Sequence, residues 1–289
     1  MKRNIWALGD RSISGSLDRV FAAGNLKIDK ANIKKIRSAG DININNSYID
    51  NVYVVGHINS KNSNFGDFKV VGDIEIEGVC KASTFGVTGR LKADFLECNI
   101  LRNSSKGKKT SENGTLRTVE FKGSFKAKTF ENFYPFYMNC DFRFDNIISD
   151  SYLQYNGVLE CERFYSFEDL HVEGVNAEFI YIRPNAKIEL ESIVGSQIIV
   201  SDNFKVDKEF KGIPMTLSPN SYKNLTKSKS HIISISEIEG DKIEIDHVKA
   251  EYISGIDVVI GDLCIIEKVE YKNSIKISEK AVVNKIVKL

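Results

Sequence analysis

Apolar and polar residues alternate along most of this chain, and glycine punctuates the alternation at a fixed spacing. Gly24, Gly40, Gly56 and Gly72 fall at every sixteenth position, each opening nearly the same phrase: GNLKI, GDINI, GHINS and GDIEI. With the spacing one place longer, or twice that, the phrase returns at Gly89, Gly123, Cys140 and Gly157. Two and four places after each glycine stand apolar residues, as in Leu26 and Ile28, Ile42 and Ile44, Ile74 and Ile76. A trio follows, Ile49, Val52 and Val54 in one unit and Phe65, Phe68 and Val70 in the next. In the longer units it comes one place later (Ala82, Phe85, Val87), so the extra residue belongs to the turn before it. A period of two means strand, not helix. Strand units repeating at this length predict an all-β fold, a right-handed parallel β-solenoid (β-helix) with 16–17-residue coils and one irregular insertion.

The glycines fall on the inward parity, at a bend where a side chain would collide with the chain turning around it. Gly24, Gly40, Gly56, Gly72, Gly89, Gly123 and Gly157 are therefore predicted corner glycines, stacked in one column. A single coil cannot bury its own apolar face, so stability must come from its neighbours. The expected organisation is one continuous solenoid: coils over 1–202, an irregular insertion or loop over 203–236, and C-terminal coils over 237–289. The insertion is marked by Pro214, Pro219 and the polar run SPNSYKNLTKSKS. Arg102 to Gly114 (RNSSKGKKTSENG) reads as a polar loop bulging from a coil. Gly89 and Gly123 are separated by twice the longer spacing, so the register is expected to survive it. From Gly123 to Val172 the coils turn aromatic: Phe121, Phe125, Phe130, Phe133, Phe136, Phe142, Phe144, Phe164 and Phe167 recur, most of them on inward columns and expected as stacked core rings.

Composition removes several function classes. Lys plus Arg is 40 against Asp plus Glu at 39, without the basic excess of a dedicated nucleic-acid binder. No stretch approaches the ~20 apolar residues of a spanning helix, and Met1 to Asp10 is too short for a signal peptide. The five cysteines, Cys80, Cys98, Cys140, Cys161 and Cys264, include no CxxC. They read as small buried hydrophobes in a reducing compartment, which points to the cytoplasm. His57, His171, His231 and His247 show no metal-ligand spacing, and His57 is expected to point outward. The outward positions mix Asn, Lys, Asp and Glu coil by coil, as a solvated sheet face does, with no groove of carboxylates like that of pectate-lyase-type solenoids. No enzyme activity, cofactor or metal is expected.

Two stretches carry a resemblance beyond the bare repeat. ALGDRSISGSLDRVFAAGNLKI near the N-terminus resembles the first segment of the bactofilin-like, polymer-forming cytoskeletal proteins of bacteria. IEGDKIEIDHVKAEYISGIDVVIGDLCIIEKVEY, from Ile238 to Tyr271, resembles their C-terminal coils. The resemblance implies a structural scaffold that assembles end to end into nucleotide-independent polymers. The partner would then be a second copy of the chain or a related solenoid protein, with no nucleic acid involved. The alternative is a β-solenoid binding module for a polysaccharide or protein partner. Strand-like sequence runs nearly to both termini, so Ile5 and Leu8 at one end and Val282, Ile286 and Leu289 at the other are the candidate self-assembly contacts. Lys2, Arg3, Ile5, Trp6 and Leu8 combine cations with apolar side chains, which raises weak membrane association through the N-terminus.

Overall fold

A computed structural model describes residues 4–104, 119–184, 187–202 and 231–289. Lys2, Arg3, residues 105–114 of the expected loop and residues 203–230 of the expected insertion lie outside them. Among the described residues the fold is all-β, with parallel strands stacked as a β-solenoid of about 15 turns in all and about 16 residues per turn. The strands are β1 (Asn4–Leu8), β2 (Arg11–Ala23), β3 (Leu26–Ala39), β4 (Ile42–Asn45), β5 (Tyr48–Val55), β6 (Ile58–Lys61), β7 (Asn64–Val71), β8 (Ile74–Thr88), β9 (Arg90–Arg102) and β10 (Glu120–Asn132). They continue as β11 (Phe136–Tyr137), β12 (Asp141–Ser149), β13 (Leu153–Ser166), β14 (Leu170–Ile182), β15 (Ile188–Val200), β16 (Ile233–Ile245), β17 (Val248–Ile260), β18 (Ile265–Ile277) and β19 (Val282–Lys288). They fall into two compact units, Met1–Phe144 and Asp145–Leu289.

In the first unit each turn has three short faces. The turn after Gly40 sends Ile42 and Ile44 inward from the first face, Ser47 and Ile49 from the second, and Val52 and Val54 from the third. Each stacks on its equivalent one turn on: Ile42 on Ile58, Ile49 on Phe65, Val52 on Phe68 and Val54 on Val70. Phe68 and Phe85 continue the ladder with rings 4.3 Å apart and nearly parallel. Stacking like on like removes whole side chains from water, at about 1.5–3 kcal/mol for each large aliphatic or aromatic residue.

The corners explain the sequence period. Gly24, Gly40, Gly56, Gly72 and Gly89 form the predicted column, each with positive φ. A Cβ on Gly40 would lie 2.5 Å from the carbonyl oxygen of Gly24, and one on Gly72 would lie 2.1 Å from that of Gly56. Gly123 departs from the expectation. Phe121 pairs with Leu91 and Gly123 with Ala93, so Val119, not Gly123, follows Gly89 in the corner column. Leu91 and Phe121 are therefore direct stacking neighbours, where the count from Gly89 to Gly123 implied two turn lengths. Gly123 is still required where it sits, because a Cβ there would lie 1.7 Å from the Ala93 carbonyl oxygen. Gly157, in the second unit, lies where the β13–β14 register shifts, between Tyr155 and Val158, packed on the ring of Tyr155.

A second corner has its own sequence signature, which the glycine count passes over. Lys30, Asn46 and Asn62 take left-handed backbone angles (φ 50°, 48° and 47°), and Gly78 continues at φ 75°. Asn and Gly tolerate this region best, which accounts for their recurrence at the same spacing. Just inside it, Ser47 and Ser63 are buried, and each hydroxyl donates to the backbone oxygen two residues earlier, that of Asn45 and of Lys61. Each also accepts a backbone N–H from the preceding turn, Ala31 into Ser47 and Ser47 into Ser63.

In the second unit β15 pairs directly with β16, with Ile193 beside Ile238 and Ile198 beside Ile243. The turn before residue 203 is therefore the stacking neighbour of the turn after residue 230. Strand resumes at Ile233, ahead of the expected restart at 237. Gly195 and Gly240 stack closely, a Cβ on Gly240 falling 2.5 Å from the Gly195 carbonyl oxygen. His247 and Leu263, one turn apart, take left-handed angles, the same device with less tolerant residues.

Candidate functional site

The outer faces are built from ladders of charge and amide, as the alternation dictates. Asp73 accepts a side-chain hydrogen bond from Arg90 and lies 3.8 Å from His57, and the Arg90 guanidinium holds its carboxyl below the ordinary range. Lys61 bonds Glu77 at 2.9 Å and Lys92 bonds Glu75. Glu97 sits between Lys126 at 2.8 Å and Lys81 at 2.9 Å, which together draw its pKa down to about 2. His57 points outward, as expected from sequence. A groove of about 570 Å³ in the first unit is lined by paired charges, Asp73 with Arg90, Glu75 with Lys92 and Glu120 with Lys122.

A groove of about 450 Å³ in the second unit has a different charge balance. Glu173, Glu189, Glu191, Glu251 and Glu267 line it with only His171 and Lys249 as basic residues, and His171 contacts Glu189. Among the described residues no three His, Cys, Asp or Glu side chains converge in the way a metal ion needs. The cysteines are free thiols. Cys80, Cys98 and Cys264 are buried, Cys140 and Cys161 partly so. Burial pushes the Cys80 thiol up to about 12 and Cys264 to about 11, which leaves little thiolate for nucleophilic work at neutral pH.

One buried polar cluster flanks residues 105–118. The Asn103 side chain, fully buried, accepts backbone N–H bonds from Phe133 at 2.7 Å and Tyr134 at 3.2 Å. It donates to the Tyr134 carbonyl at 2.9 Å and to Asn132. Beside it Arg102 pairs with buried Glu131, whose carboxyl burial shifts upward against the opposing pull of that guanidinium. This cluster pins the two strands that bracket the polar segment. Phe121, Phe125, Phe130, Phe133, Phe136, Phe144, Phe164 and Phe167 are buried as expected, whereas Phe142 is only partly buried and Tyr137 is exposed.

The candidate self-assembly residues divide by direction. At the N-terminal end Ile5 pairs with Val20, which is fully buried, so Ile5 stands in an inward column. Leu8 is 94% exposed and points outward from β1, not along the stack. At the other end Val282 pairs with outward Ile265 and also lies on the outer surface. Ile286 pairs with buried Val269 and stands in an inward column with its side chain half exposed. Leu289 is exposed. Sequence reasoning missed Ile275, Ile277 and Val283, which pair with buried Val258, Ile260 and Ile266. Strict counting of inward parity in the last two strands would have found them. No family model, curated protein or solved structure matches the chain.

Proposed function

We propose that this chain is a structural scaffold of the bactofilin-like kind, which polymerises end to end without a nucleotide. The resemblance of its terminal coils supports the family, and the state of the last turn supports the contact. Ile275, Ile277, Val283 and Ile286 occupy columns that are buried one turn earlier, yet nothing in the described structure covers them. Among the described residues the backbone of β19 pairs only with β18. A second copy docking there would extend the same hydrogen-bond ladder and remove apolar area from water at ~25 cal/mol per Å². Nothing in such a contact needs switching, so no ATP or GTP is required. Because it is apolar, it is largely indifferent to salt.

The test is sedimentation velocity and electron microscopy of the full chain, with and without nucleotide. Filaments or large oligomers are expected in both cases. Ile277→Lys with Ile286→Lys should leave a smaller species with an unchanged β-sheet circular dichroism spectrum. A wild-type chain that stays monomeric at high concentration overturns the scaffold reading and leaves the binding module as the better account.

A further inference from the structure

Asparagine followed by glycine is the dipeptide most open to attack by its own backbone. With no Cβ in the way, the glycine nitrogen can swing onto the asparagine side-chain carbonyl. Among the described residues this pair occurs once, at Asn156–Gly157 on β13. The fold leaves it open. Tyr155 pairs with Val172 and Val158 with Gly174, so Asn156 and Gly157 together stand against the single residue Glu173 of β14. Two residues against one make a β-bulge, where the hydrogen-bond ladder is locally disrupted. The pairing of β12 with β13 also lies away from it, from Asn146 beside Arg163 to Ser149 beside Ser166. Asn156 is exposed and lines the acidic groove of the second unit. The glycine is fixed by its surroundings, because a Cβ on Gly157 would fall 2.9 Å from the Tyr155 ring.

Other asparagines of the chain are held in ways that block the same attack. The Asn103 side-chain oxygen is buried and accepts the N–H groups of Phe133 and Tyr134. Asn46 precedes Ser47, whose backbone N–H is engaged by the Ser63 hydroxyl at 3.2 Å. Asn59 sits in an unbroken ladder between Asn43 and Glu75, and its side chain donates to that of Asn43 at 3.2 Å.

We infer that Asn156 is a site of self-modification in the folded chain, with water as the only co-reactant. The Gly157 nitrogen loses its proton to solvent base and bonds to Cγ of Asn156. The side-chain nitrogen leaves as ammonia, and a succinimide ring closes. Water then opens the ring at either carbonyl: attack at Cγ gives aspartate, and attack at the backbone carbonyl gives isoaspartate. No electrons are transferred. Either product sets a carboxylate against Glu173, in a groove already lined by Glu189, Glu191, Glu251 and Glu267. Like charges opposed across neighbouring strands repel, so the modified turn is less stable than its parent.

Incubation of the full chain at mildly alkaline pH, then digestion, chromatography and mass spectrometry, tests this. The same chain unfolded in urea supplies the reference rate for each asparagine. Folded, Asn156 should convert within about tenfold of its unfolded rate, whereas Asn46, Asn59 and Asn103 are slowed about a hundredfold or more. Both aspartyl and isoaspartyl peptides should appear at position 156, and more slowly at mildly acidic pH, where the attacking amide keeps its proton. Asn156→Gln, whose longer side chain closes the ring poorly, should abolish conversion at that position. Slowing of Asn156 as deep as that of Asn59 overturns the inference. The converted fraction, separated by ion exchange, should unfold at lower urea than the parent, with a narrower gap in Glu173→Gln. Equal midpoints would overturn the effect on the turn. Failure here leaves the sedimentation result for self-assembly untouched.

Discussion

At the level of single residues the period of this chain is a property of backbone contact. Gly56 takes φ +149°, and a Cβ there would fall 2.3 Å from the Gly40 carbonyl oxygen. Backbone in the turn below cannot swing away as a side chain would. Gly56→Ala is therefore expected to cost about 2–4 kcal/mol, combining left-handed strain with a forced displacement. Gly9 has φ +88° but nothing within 4 Å of the same position. Gly9→Ala should cost only about 1–2 kcal/mol, for the conformation alone. Urea unfolding of the two variants separates the terms, and equal losses would show that the stacked contact contributes nothing. The left-handed column through Asn46 and Asn62 follows the same logic with residues that carry side chains.

Between strands, neighbouring turns are laced together on the outside by charge. Glu97 on β9 reaches Lys81 on β8 and Lys126 on β10, so one carboxylate spans three stacked strands. Its folded pKa of about 2 lies below the ordinary 4.5, so its stabilisation is full above the unfolded value and is lost as pH falls through about 2. The midpoint difference between wild type and Glu97→Gln should be present at pH ~6 and shrink steadily below pH ~4.5. High salt should reduce it as well, because the group is exposed and screened. A difference unchanged down to pH ~2 would mean that the lysines do not stabilise the ionised form. At the end of β9 the Arg102–Glu131 pair continues the lacing, and Asn103 adds buried hydrogen bonds with Phe133 and Tyr134.

Within each unit the turns are held by nearest-neighbour contacts, so stability is graded from turn to turn. Among the described residues β19 pairs with β18 alone. Amides of β19 should exchange hydrogen faster than those of β17, whose neighbours lie on both sides. Assembly through that end should slow β19 selectively and leave β17 as it was. Equal protection of the two strands in dilute, unassembled protein would argue that the final turn is already covered.

Local sequence alone dictates the strand period, the solenoid, the glycine column from Gly24 to Gly89 and the buried aromatic run. Each of these is a local pattern repeated on a fixed count, and stacking only copies it from turn to turn. Counting fails where the copy is imperfect. The spacing from Gly89 to Gly123 counts as two ordinary turns, yet Leu91 pairs with Phe121 and Gly123 leaves the expected column, while Gly157 falls where the β13–β14 register shifts. It fails again at the last turn, where a residue's direction depends on what it pairs with: Val282 over Ile265 faces out and Ile286 over Val269 faces in. The opening at Asn156 is hidden for a third reason. The Asn–Gly pair is plain in the sequence, but nothing local says that it falls in a bulge against Glu173. Only parallel stacking, which sets equivalent positions a strand spacing apart, decides which residues are paired and which are left out.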